Sequence, residues 1–111
     1  MATNTWMEDG DYLSLPVPDT TASGAPVRVG GLNAITQTKE FQGGNPDNFA
    51  SCMLKGVHIV QVTGVLAVGD PVYITAGNAL NITSAGNNLW GYATRAKAGA
   101  GVADAYVRIS N

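Results

Sequence analysis

Charge is scarce in this chain: Asp, Glu, Lys and Arg make up only 13% of 111 residues, and the formal net charge is −2. The six basic residues are Arg28, Lys39, Lys55, Arg95, Lys97 and Arg108. Apart from the short Arg95-Ala-Lys97 stretch they are scattered. A nucleic-acid binder needs a concentrated basic patch to displace counterions from phosphate. No such block is visible, and no nucleic-acid partner is expected. Cysteine is limited to Cys52, which excludes an intrachain disulfide and fits a protein made in a reducing cytoplasm. Histidine is limited to His58; without a second histidine or a Cys-x-x-Cys pair there is no metal-ligand spacing. The chain lacks a phosphate-binding Gly-x-x-x-x-Gly-Lys-Ser/Thr loop. It also lacks any apolar run near the roughly 18 residues that span a bilayer, so no membrane partner is expected. Residues 1–11 have no basic cluster followed by an apolar run and do not read as a signal peptide.

What is present is apolar. Hydrophobic residues make up 45% of the chain, too many for a disordered polypeptide of such low charge. The length suits one domain that can bury a core without metal or disulfide support. Fourteen glycines and five prolines fall between short apolar runs, the punctuation expected of many short strands. Tyr12–Val17 alternates, with Leu13, Leu15 and Val17 on one face, and Pro16 marks it as an edge strand. Val27 and Val29 flank Arg28 in a second strand that stops at Gly30-Gly31, and Leu32–Gln37 continues into a third. Gly56–Gly64 is apolar on both faces, Val57 and Ile59 on one, His58, Val60 and Val62 on the other, which predicts a central buried strand. Pro71–Thr75, Ala79–Thr83, Leu89–Thr94 and Val102–Ser110 follow. Gly77-Asn78 and Gly86-Asn87-Asn88 are the turn signals among them. Gly24-Ala-Pro26-Val27 recurs as Gly69-Asp-Pro71-Val72, proline starting an apolar strand in each case. Thr38–Ser51 is the least strand-like stretch. Asp47 or Asn48 there is placed to cap a short helix carrying Phe49, Cys52 and Met53 on one side. The expected fold is all-β: a small antiparallel barrel or sandwich of about seven or eight strands. It comprises an extended amino-terminal arm over 1–10 and a single β domain over 11–111, with an irregular insertion around 38–52.

A search for chemistry finds no catalytic, cofactor or metal residues. His58 reads as a histidine packed in or beside the core. Cys52 reads as a small apolar filler, since a nucleophile needs a base that the sequence does not place. Glu8-Asp9-Gly10-Asp11 lacks the alternate-position spacing and closing glutamate of a calcium loop. Asp70 is expected to bond local backbone in its turn, and Gly99-Ala-Gly101 to form a hairpin loop. The candidate contact residues are large apolar groups in the first half. Trp6 and Met7 lie in a segment without periodicity, and Trp is the residue type most enriched at binding hot spots. Tyr12, Phe41 and Phe49 complete the set.

The second half has a recognisable order. Val62-Thr-Gly64 and Val68-Gly69-Asp70-Pro71-Val72-Tyr73-Ile74 precede Gly77-Asn-Ala-Leu-Asn-Ile. Leu89-Trp-Gly91-Tyr-Ala93 comes next, and Ala105-Tyr-Val107-Arg108-Ile109 closes the run. This resembles the capsid cement, or head decoration, proteins of tailed-phage head gene clusters, whose usual pattern is a Gly-Asp-Pro-Val-Tyr turn and strand and a terminal Val-Arg-Val/Ile strand. Glu8-Asp-Gly-Asp-Tyr-Leu-Ser-Leu and Ser23-Gly24-Ala-Pro-Val-Arg-Val-Gly30-Gly31-Leu32 are similar to the family's first two strands. The likeness is weakest over Thr38–Ser51. Some members are described as RecA-like recombinases; the missing phosphate loop and basic patch argue against that activity here. The resemblance implies a structural protein, not an enzyme, made in the host bacterial cytoplasm. It would sit on the outer surface of the virion capsid, with the major capsid protein and copies of itself, as a trimer, for partners. The alternative is a β-rich virion-surface module recognising carbohydrate or a host surface, which an exposed Trp90 or Tyr92 would favour. A lipoyl- or biotinyl-type carrier has only Lys55 as its modified lysine, in the wrong flanking pattern.

Overall fold

The computed structural model describes residues 12–18, 21–38, 40 and 48–111. Among them are nine strands and no helix: β1 Tyr12–Pro16, β2 Pro26–Val29, β3 Leu32–Thr36, β4 Phe49–Met53, β5 Val57–Thr63, β6 Pro71–Ile74, β7 Leu80–Asn81, β8 Asn88–Ala93 and β9 Val102–Ile109. The first four form a sheet in the order β1-β4-β3-β2, and the last five close into a barrel in the order β5-β7-β6-β8-β9. Every ladder is antiparallel except β5 with β7, which run parallel through Val62↔Leu80 and Thr63↔Asn81. Closure satisfies the backbone of the barrel strands without leaving edges. The sheet keeps two edges, β1 and β2, and each carries a proline, Pro16 and Pro26, where a missing N–H is tolerated.

The repeated Gly-x-Pro-Val motif does the same work twice. Gly24 (φ 75°) and Gly69 (φ 89°) turn the chain in the left-handed region. Pro26 and Pro71 then open β2 and β6, and Val27 and Val72 follow as buried core residues. The Gly77-Asn78 turn also forms where expected, with Asn78 at φ 63° and the Asn78 N–H donating to the Thr75 carbonyl at 3.0 Å.

Two hydrophobic clusters result. One fills the barrel with Val60, Val62, Val72, Ile74, Leu80 and Val107 among others, and takes in Ile35 from β3. The other gathers Leu15, Val17, Val27, Ala34, Ala50 and Cys52 from all four strands of the sheet. β3 therefore contributes to both, Ile35 to one cluster and Ala34 to the other. Trp90 of β8 has no solvent exposure, and its indole N–H donates across to the carbonyls of Val27 at 3.2 Å and Ala34 at 3.3 Å. Beside it, Gly91 lies so close to β9 that a Cβ would stand 2.3 Å from the Arg108 carbonyl oxygen; no other residue fits there without moving backbone. The barrel mouth is fastened by Lys97, a buried residue whose ammonium donates to the carbonyls of Gly64, Gly99 and Gly101. All three ammonium hydrogens are thereby used.

Two sequence expectations are corrected. The short helix carrying Phe49, Cys52 and Met53 does not form: these residues lie in β4, hydrogen-bonded to β1 on one side and β3 on the other. Asn48 takes φ 62°, whereas a helix N-cap takes extended φ/ψ. Ala50 and Cys52 are buried while Phe49, Ser51 and Met53 are half-buried, a period of two that small side chains had hidden. The strand over Gly56–Gly64 is not buried on both faces. Val60 and Val62 point into the barrel, but Val57 and Ile59 are more than half exposed.

Candidate binding surface

That exposed side of β5 is the start of a continuous surface. β5 and β9 pair along their whole length, with Val57↔Arg108, Ile59↔Tyr106, Gln61↔Asp104 and Thr63↔Val102 facing outward in register. Alternation sends Ala105, Val107 and Ile109 of β9 into the core and leaves Val102, Asp104 and Arg108 exposed, with Tyr106 half-buried. β8 adds Tyr92, exposed and opposite Arg108. Val57, Ile59 and Val102 are 51%, 56% and 64% exposed. Burying the remainder of Val57 or Ile59 is worth on the order of 1 kcal/mol apiece.

The same face gathers charge. The Arg95 guanidinium stacks over the Tyr106 ring, 4.4 Å from its centroid, a geometry that attracts a cation to the ring face. Arg108 and Lys55 line one shallow cleft with Leu54, Ser110 and Asn111, and the Lys55 ammonium lies 5.5 Å from the Tyr12 ring centroid. The other two described cations are engaged internally: Lys97 in its carbonyl cage, and Arg28 with the Asn33 side-chain oxygen at 2.8 Å. Arg95, over Tyr106, and Arg108, opposite Tyr92, are thus exposed cations of this face in a chain whose net charge is −2. Among the described residues Asp104 is the carboxylate on this face, and it accepts a hydrogen bond from Gln61 at 2.7 Å.

Of the contact residues expected from sequence, Trp6, Met7 and Phe41 lie outside the described residues. Tyr12 is exposed on edge strand β1 beside Lys55. Phe49 is half-buried opposite Pro16, lining a groove of about 470 Å³ with Val17, Pro18, Val27 and Val29. The two stand at opposite ends of the β1–β4 ladder and do not form one site. Trp90, proposed for sugar stacking if exposed, is enclosed; Tyr92 is 42% exposed. Sequence reasoning missed Val57, Ile59, Arg95, Tyr106 and Arg108 as a group. Their alternation was visible, but not the pairing of β5 with β9 that assembles them.

The groups with latent reactivity are structurally placed. The His58 ring bonds the Lys55 carbonyl through Nε2 at 2.8 Å. Asp70 accepts from the Ala67 N–H at 2.8 Å, as expected of its turn. Among the described residues no group of three or more His, Cys, Asp or Glu converges to hold a metal, and no helix is long and apolar enough to cross a membrane. Cys52 is buried beside the Ala50 carbonyl. Burial pushes its thiol from 9.0 up to about 11, with a Leu15 backbone hydrogen bond acting the other way. The native thiol is therefore expected to resist a maleimide at pH 8 while the urea-unfolded chain labels fully, as read by mass spectrometry. Because the folded value is the higher one, the thiol's contribution to stability is intact below pH 9 and is lost as the pH rises towards about 11.

No curated protein and no solved structure shows significant similarity to the chain. The family described as phage cement protein matches residues 7–109, which takes in both the sheet and the barrel. A chain whose described residues form strands and no helix, with a closed barrel, an apolar and cationic outer face and this match over nearly its whole length, belongs to the phage cement protein family, whose role is structural and whose place is the virion capsid.

Proposed function

We propose that the chain is seated on the outer surface of a mature phage head, where it bridges neighbouring copies of the major capsid protein and reinforces the shell against the pressure of packaged DNA. The observation that carries this reading is the family match over residues 7–109. The physics supports it. A partner that binds only the assembled shell stabilises that state by mass action, and contacts to several subunits at once multiply weak affinities. The chain acts as a homotrimer on the shell. Residues 11–111 serve as one body, and residues 1–10 as an arm whose Trp6 and Met7 are docking groups. Deleting residues 2–7 then leaves the melting temperature of the isolated protein nearly unchanged and weakens its attachment to particles.

Heads prepared without this protein test the reading. They are expected to release DNA several degrees below complete heads in a dye-release melt, and added purified chain is expected to restore the difference. Cryo-electron microscopy of the restored heads should place three-fold density on the exterior. Heads that neither bind the chain nor gain stability from it would overturn the reading.

A further inference from the structure

The outer face of β5, β8 and β9 is unusual in two respects at once. It leaves the apolar side chains Val57 and Ile59 in water, and it places the exposed Arg108 and the Tyr106-stacked Arg95 directly beside them. We propose that this face seats the β domain on the shell, in addition to the docking arm, and that the capsid surface it meets carries carboxylates next to an apolar patch. The inference rests on the cement reading and deepens it by assigning the surface and the chemistry of the partner.

The argument is one of complementarity. Among the described residues no carboxylate is paired with Arg95 or Arg108. Arg95 is held against Tyr106 by stacking and so is pre-oriented, which lowers the ordering cost of making a contact. Tyr106 is in turn paired directly with Ile59 across the ladder, so apolar and charged groups share one rigid backbone. Aromatic and Arg side chains around an apolar patch are the composition of binding hot spots, and charge complementarity steers a partner and fixes its register. Phosphate polymers fit less well. Two exposed cations beside a partly apolar strip would supply few phosphate contacts, and a nucleic acid would leave Val57 and Ile59 unsatisfied.

The test uses the full chain and heads of its own phage prepared without it, with binding measured by sedimentation. The double variant R95E/R108E and the single variant I59E are expected to bind at least tenfold more weakly than the unaltered chain. S84E, which adds a negative charge on the loop between β7 and β8, should bind as the unaltered chain does. All these side chains are exposed, and melting curves identify any variant that has lost its fold. Should I59E fail to fold, I59Q and R95Q/R108Q carry the test. Attachment of the unaltered chain should weaken as NaCl is raised from about 50 to 500 mM, because salt screens exposed charges. Charge-reversed chain that binds heads normally would overturn the assignment while leaving the cement reading standing. So would loss of self-association alone, measured by native mass spectrometry, or tight binding of the unaltered chain to a short DNA duplex that the reversals abolish. An unaltered chain that ignores the heads would remove the cement reading itself.

Discussion

Replacing Trp90 by alanine is expected to lower the melting temperature by roughly 15–25 °C, the largest effect expected of any single substitution in the core. Trp90 is fully buried and packs with the barrel residues and with Ile35 of the sheet, so its removal opens a cavity at the junction of the two halves. Large-to-small changes of this kind cost about 3–5 kcal/mol. A domain of this length has a total stability of about 5–15 kcal/mol and loses several degrees per kcal/mol. The two carbonyls that accept from the indole, Val27 and Ala34, would also lose that donor. Trp90→Phe separates the contributions, since it keeps most of the ring and removes the N–H. Its loss is expected to be less than half that of the alanine variant by calorimetry. Equal losses would mean that the hydrogen bonds, not the packing, hold the halves together.

The second large effect is expected at Asn33, a buried polar residue of β3. Its amide donates to the carbonyls of Leu89 and Ser110, both at 2.8 Å, while its oxygen accepts from Arg28 at 2.8 Å. Its backbone is clasped by the side chain of Asn111, which accepts from the Asn33 N–H and donates to the Asn33 carbonyl, each at 2.8 Å. Asn33→Ala removes the Asn33 donor from the Ser110 and Leu89 carbonyls and its acceptor from Arg28, although Arg28 still donates to the Leu89 carbonyl at 3.3 Å. At about 1–3 kcal/mol for a buried group left unsatisfied, a loss of about 2 kcal/mol is expected. Asn33→Asp is the sharper test because it has the same shape. The carboxylate still accepts from Arg28 but turns an oxygen towards the Leu89 and Ser110 carbonyls, so it is expected to destabilise at least as much as alanine at pH 7. Its stability should partly recover as the pH falls and the carboxyl regains a proton to donate. An Asp variant as stable as the unaltered protein would show that the amide donations do not matter.

Much of the fold was legible along the chain. Pro16 marked an edge strand and is on one; Gly30-Gly31 ended β2; the two Gly-x-Pro-Val motifs each opened a strand with a buried valine. These features succeed because turn geometry and proline φ are properties of neighbouring residues. β4 was misread because Ala50, Ser51 and Cys52 are too small to show a strand's alternation. The parallel pairing of β5 with β7 had no local signal either, since β7 spans only Leu80–Asn81 and is defined by its partners.

The candidate surface was less legible than the fold. Trp6, Met7, Tyr12, Phe41 and Phe49 stood out as large apolar groups, yet Tyr12 and Phe49 end up at opposite ends of one ladder. Ile59 looked like a core residue because both faces of its strand are apolar. Only its pairing with Tyr106, far along the chain in β9, turns it outward on the face that Arg95 caps.

By itself the sequence determined that the chain is all-β, where it turns, which strands begin at proline, and the pattern of a phage cement protein. These are encoded in short-range spacing, composition and turn chemistry. Tertiary structure alone decided which side of β5 meets solvent. It also decided that Trp90 and Asn33 join sheet to barrel, that Asn111 closes on Asn33, and that Arg95 and Arg108 share one face. The reason is physical: a strand with two apolar faces has no intrinsic inside, and scattered charges acquire a common field only when strand register brings them onto one surface.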